Sequence, residues 1–206
     1  MKMSVLFMLM LLLCGLVGCM PVYAPMPAPP TPEVKFYGLS DSAHKIVFVL
    51  DHSGSMLDTF DFLRQETIRS VNALNPSQSF SVVMLSERAT VIYSQLQRAT
   101  LEVKKDFASK LQEFRAQGMA ECVLEPFQES FENAFAMRPE VIYFLTDGRF
   151  DPRLFDVVAK LNKDKKVRVN TLGFVTNDPI SEDQLKELAK KNGGFYRFVE
   201  EKDLGK

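Results

Sequence analysis

The stretch Lys45-Ile46-Val47-Phe48-Val49-Leu50-Asp51-His52-Ser53-Gly54-Ser55 decides the reading of this chain. Ile46 to Leu50 is an uninterrupted apolar run with the length and composition of a buried strand. The Asp-x-Ser-x-Ser pattern behind it lifts one carboxylate and two hydroxyls to the strand's C-terminal end. In open α/β sheets, ligands bind at that end. Asp51, Ser53 and Ser55 are all oxygen donors, which a hard cation such as Mg²⁺ takes. The segment therefore predicts a metal site on the loop leaving the first strand. Gly54 lets that loop turn closely.

Strand-like and helix-like segments alternate from His44 onward. Leu57 to Leu74 carries Phe60, Leu63, Ile68, Val71 and Leu74 at helical spacing, and Asn75-Pro76 ends it. Ser79 to Leu85 and Ala89 to Ser94 are separated by a few polar residues, which predicts an antiparallel hairpin. Leu101 to Phe114 and Phe127 to Met137 read as helices. Val141 to Leu145 is a second apolar strand, and Thr146-Asp147-Gly148 follows it. Pro152 to Leu161 reads as a helix, Val167 to Val175 as a strand, and Ser181 to Asn192 as a helix closed by Gly193-Gly194. Phe195 to Val199 is the last strand. The phenylalanines at helical spacing (Phe60, Phe107, Phe127 and Phe131 among them) read as core. This order predicts an α/β, Rossmann-like three-layer sandwich. Its central sheet is mostly parallel, with one antiparallel edge strand and helices on both faces.

The order of elements, Asp-x-Ser-Gly-Ser after the first strand, and Phe144-Leu145-Thr146-Asp147-Gly148 after a later one resemble a von Willebrand factor A domain. The resemblance covers residues 44–200, leaving 201–206 as a C-terminal tail. It implies a metal-ion-dependent adhesion site in which Asp51, Ser53 and Ser55 match the first loop. Asp147 matches the family's later Asp, which often acts through water. The implied cofactor is Mg²⁺, Mn²⁺ or Ca²⁺, and the last coordination position goes to a carboxylate of a partner protein. One family member is missing, a Thr commonly found within Gly-Gly-Thr. The nearest match, Gly118-Met119-Ala120-Glu121, puts Ala120 there, and a second register falls near Val123-Leu124-Glu125. No Ser or Thr occurs between Lys110 and Glu129, so neither register restores the hydroxyl. Water, Glu121 or Glu125 fills the vacancy, or the site is degenerate and the domain acts as a structural or envelope-assembly component.

The N-terminal residues carry a different message. Lys2, the apolar run Val5 to Leu13 and the small residues before Cys19 read as a secretory signal over residues 1–18. Leu16-Val17-Gly18-Cys19 resembles the lipobox of bacterial lipoproteins, which implies lipidation at Cys19. Met20 follows rather than Asp, favouring the outer membrane where two membranes exist. Residues 19–43 read as the lipidated Cys and a tether rich in proline. Its polyproline II segment, at about 3.1 Å per residue, spans roughly 40 Å. The location expected is the bacterial cell envelope, with membrane contact through the lipid.

Composition excludes several classes. The chain has 25 Lys and Arg against 26 Asp and Glu, with no basic patch, so nucleic acid is not an expected partner. Once the signal leaves and Cys19 is lipidated, only Cys122 remains, and an internal disulfide is impossible. Asp51-His52-Ser53 holds the residue types of a hydrolase triad, but three consecutive residues do not give its stacked geometry. No Gly-x-Gly-x-x-Gly follows the first strand. The expectation is a protein-binding module, not an enzyme, with no small-molecule substrate.

Overall fold

Two short strands precede the first expected one. β1 (Glu33–Phe36) and β2 (Leu39–Ser42) pair antiparallel in a sheet of their own. The computed structural model describes residues 31–118, 123–174 and 178–204. Tyr37 and Gly38 join the two strands with φ of 46° and 73°, the left-handed pair that a two-residue hairpin loop requires. Val34, Phe36 and Tyr37 are buried. The tether expected to run to residue 43 is corrected here: its part from Glu33 to Ser42 is folded into the domain. The physical reason is the alternation of Val34 and Phe36 with polar residues, which turns one face of the hairpin into the core.

The main sheet is built on β3 (Lys45–Asp51). It continues through β4 (Ser79–Leu85), β5 (Ala89–Val91), β6 (Gln97–Arg98), β7 (Val141–Thr146), β8 (Arg168–Phe174) and β9 (Tyr196–Val199). The order is β5-β4-β3-β7-β8-β9, with all pairs from β4 to β9 parallel. β5 and β6 both pair antiparallel with β4, so the expected single edge strand is two short ones along the same neighbour.

Alternation along β3 divides the core. Ile46, Phe48 and Leu50 face α1 (Phe60–Ala73) and α2 (Leu101–Leu111), together with the hairpin. Val47 and Val49 face α3 (Leu124–Ala136), α4 (Leu154–Leu161) and α5 (Pro179–Lys191). Both faces of the sheet are therefore covered, as the unbroken apolar runs of β3 and β7 demand. Phe60, Phe107, Phe127 and Phe131 are all buried.

Local chemistry sets the helix ends. Thr100 accepts the N–H of Val103 at the start of α2, and Asp178 accepts that of Ser181 at the start of α5. The helix expected from Leu57 begins only at Phe60, because Gly54–Met56 forms a tight 3₁₀ turn. That turn keeps Ser53 and Ser55 at the sheet edge. The described residues contain no helix long and apolar enough to cross a membrane.

Candidate metal centre

β3 and β7 are adjacent and parallel, with Leu50 beside Leu145, so Asp51 and Asp147 emerge at one edge. They line a cleft of about 250 Å³ with Ser53, Ser55, Thr146 and Arg149. A chain of hydrogen bonds connects the two carboxylates. Asp51 Oδ1 accepts the backbone N–H of Ser53 at 2.9 Å. Ser53 Oγ and Ser55 Oγ lie 3.0 Å apart, and Ser55 Oγ donates to Asp147 Oδ1 at 3.0 Å. Both serine hydroxyls are thus turned to the same side, as the spacing predicts.

Gly54 is essential to this loop. Its N–H donates to the carbonyl of Gly118 at 2.9 Å, and a Cβ there would stand 2.8 Å from that oxygen. Gly118 has φ of 74° and lies against the Glu87 side chain. The segment before the missing Thr is therefore pinned directly to the Asp-x-Ser-x-Ser loop.

The electrostatics suit a cation. Burial pushes the Asp51 carboxyl up, opposed by the hydrogen bonds from Thr146 and Ser53. Asp147 is pushed up to about 6, first by burial and then by the Asp51 charge. Two carboxylates in one cleft repel unless something neutralises them. The donors are oxygens throughout, which fits a hard divalent ion. Among the described residues no group of three or more His, Cys, Asp and Glu gathers for metal binding, so the site rests on two carboxylates and two hydroxyls.

Thr146 is a cleft residue that the sequence reading did not single out. Its Oγ1 donates to Asp51 Oδ2 at 2.6 Å and accepts the N–H of Gly148 at 3.2 Å. It was legible only as the residue before Asp147. The loop after Asp147 is held further by Arg149, whose guanidinium donates twice to Asp178 at 2.7 and 2.8 Å.

Glu125 is not brought to the site. It is exposed on the first turn of α3, and its charge acts on Arg153. Phe127 lines the cleft, and residues two apart on a helix point to nearly opposite sides. Glu121 lies outside the described residues, as do Ala120, Cys122, Cys19 and the leader. The ring of His52 turns away from the serines. Its Nδ1 lies 3.0 Å from the Arg115 carbonyl oxygen, and it packs against Phe60 and Phe114.

Sheet order, the layering of helices and this loop pair define a von Willebrand factor A domain. Residues 45–206 match the von Willebrand factor type A domain family, and the chain belongs to it. A human relative, von Willebrand factor A domain-containing protein 3B, is 25% identical over 154 residues, which are 74% of this chain and 12% of that protein. The chain thus spans only a small part of that relative. The von Willebrand factor type A structure from Catenulispora acidiphila superposes with a TM-score of 0.63 at 19% identity, covering 79% of this chain and 40% of that one. Proximal thread matrix protein 1 from the mussel byssus, solved with a zinc-occupied metal-ion-dependent adhesion site, gives 0.55 at 17% identity over 78% of this chain and 44% of its own.

Proposed function

We propose that this domain is an envelope-tethered protein-binding module that holds a divalent cation between Asp51, Ser53, Ser55 and Asp147. A carboxylate of the partner protein completes the coordination. The observation that carries this reading is the joining of Asp51 to Asp147 at one sheet edge, through the Ser53 backbone N–H and then the hydroxyls of Ser53 and Ser55. The zinc-bound site of the mussel protein supports it by analogy. With only two carboxylates of its own, the site binds the cation modestly, and the partner's acid supplies the third negative charge. The tether and the lipid at Cys19 belong to this proposal and rest on the sequence alone. The choice of a binding module over an enzyme is supported by the His52 ring, which serves the Arg115 carbonyl and an aromatic packing site.

A second reading has one observation in its favour: no Ser or Thr lies between Lys110 and Glu129 to replace the missing hydroxyl. In that case the fold serves envelope assembly without metal. Calorimetric titration with Mg²⁺ and Mn²⁺ separates the two. Heat and thermal stabilisation that vanish in Asp51→Ala support the metal site; neither effect at millimolar metal sinks it. A pull-down from membranes with and without EDTA then tests whether partner capture needs the ion.

A further inference from the structure

The balanced charge totals of the chain hide an asymmetry that the fold creates. Because β3, β4, β7, β8 and β9 are parallel, their C-terminal ends share the cleft edge and their N-terminal ends share the opposite one. The described segments at the cleft edge (51–59, 85–88, 112–118, 146–153, 178–182 and 199–203) carry five Lys and Arg against eleven Asp and Glu. Those at the opposite edge (31–33, 41–45, 74–79, 98–102, 137–140, 162–168 and 190–195) carry nine against five. β3 is seven residues long, so at roughly 3.3 Å per residue the two edges stand about 20 Å apart. That exceeds the Debye length of about 8 Å at physiological salt, so each edge presents its own sign.

The basic edge is assembled from segments far apart in the chain. Ser79 N–H donates to the His44 carbonyl at 2.7 Å, Glu140 N–H to that of Lys45 at 2.9 Å, and Arg168 N–H to that of Glu140 at 3.1 Å. Lys165 Nζ donates to the Lys191 carbonyl at 2.9 Å, which brings the α4–β8 loop against the end of α5. Two large apolar side chains stand out of the same edge, Leu101 at 71% exposed and Phe195 at 61%. Phe195 is held there by its N–H, which donates to Asn170 Oδ1 at 2.8 Å near the start of β8. The chain also enters the domain on this side. The Pro32 carbonyl accepts the N–H of Ala43 at 3.1 Å, and the buried Gln78 amide donates to the carbonyls of Glu33 and Ala43 at 3.3 and 2.9 Å.

We infer that the edge opposite the cleft docks on a membrane surface bearing anionic headgroups, with the cleft facing away from it. This rests on the proposed tether, which joins the domain at that edge and keeps the surface within reach. Lys and Arg side chains are drawn to anionic lipid once they come within a Debye length of it. The tether makes that encounter intramolecular, so a modest attraction suffices. Exposed Phe and Leu side chains add contact with the headgroup and acyl boundary, which a soluble polyanion does not offer. The same surface repels the acidic cleft edge. Charge thus selects one orientation, and it leaves the cleft open to a partner arriving from the far side.

The test uses the full chain with vesicles of phosphatidylcholine, alone or with about one-third phosphatidylglycerol. Sedimentation with the neutral vesicles reads the anchor, and lysine acetylation followed by mass spectrometry reads the face. The exposed Lys163, Lys166 and Lys190 should be acetylated about tenfold more slowly on the anionic vesicles than on the neutral ones. Lys202, at the cleft edge, should react equally on both, and high salt should abolish the protection. The double variant Lys163→Glu, Lys190→Glu should lose the protection of Lys166. The charge-matched variant Arg88→Glu, Lys202→Glu at the cleft edge should keep it, and unchanged melting curves should show both variants folded. Phe195→Ser should reduce the protection severalfold. Equal acetylation on the two vesicles, or protection of Lys202 as strong as that of Lys163, overturns the docking face. Protection that soluble heparin matches and that Phe195→Ser leaves unchanged reassigns the face to a soluble polyanion and overturns the lipid. Binding to the anionic vesicles alone, with the same lysines protected, upholds the face and removes the anchor.

Discussion

Thr146 Oγ1 donates a 2.6 Å hydrogen bond to Asp51 Oδ2, so the residue before one site carboxylate fixes the orientation of the other. Both groups are buried, so leaving either without its partner is costly. Thr146→Val should therefore destabilise the domain by about 1–3 kcal/mol. It should also weaken Mn²⁺ binding, because Asp51 is free to rotate, while Thr146→Ser retains both properties. Urea denaturation and calorimetry on the same samples check the pair of effects.

Gly54 sits where no side chain fits. A Cβ 2.8 Å from the Gly118 carbonyl forces the first loop away from the segment before α3. Gly54→Ala should cost about 1–3 kcal/mol, the usual range for overpacking. A lowered melting temperature, with the metal-induced shift reduced or absent, is the expected result.

Asp147 gives the domain a pH signature. Its folded pKa, about 6, stands above the ordinary 3.8. The native state therefore holds more protons than the unfolded chain between those values. This group's contribution to stability is fully present below about 3.8 and is lost as pH rises through about 6. A bound cation has the opposite preference, because it needs the carboxylate ionised. Melting with EDTA should thus show a stability component that declines as pH rises from about 4 to about 7, and the stabilisation by Mg²⁺ should grow over the same interval. A metal-induced shift independent of pH contradicts this.

The hairpin should prove to be part of the folding unit. Phe36 is completely buried, stacking edge-on with Phe48 and Tyr143. Arg168 binds Asp41 at 2.9 Å, and the Gln78 amide donates to the Ala43 carbonyl at 2.9 Å. Phe36→Ala should cost about 3–5 kcal/mol in urea denaturation. A chain beginning at His44 should be markedly less stable than one beginning at Thr31.

The sequence by itself determined the architecture and the four polar side chains that meet at the cleft. Unbroken apolar runs at Ile46–Leu50 and Val141–Leu145 are readable as two-faced parallel strands, because burial on both sides leaves no room for a polar alternation. Asp51, Ser53, Ser55 and Asp147 were legible because each lies within a few residues of such a strand's end. What only the tertiary structure decided depends on contacts between distant residues. The bonds from Thr146 to Asp51 and from Gly54 to Gly118 join segments that no local pattern relates. Helix phase turned Glu125 away from the cleft, although its place in the chain suggested a ligand. The hairpin escaped notice because its strands have four residues each and follow a run of prolines, and its stability comes from packing on distant β3, β7 and α1. Periodicity records which face of a segment is buried, and it carries no record of which other segment it meets.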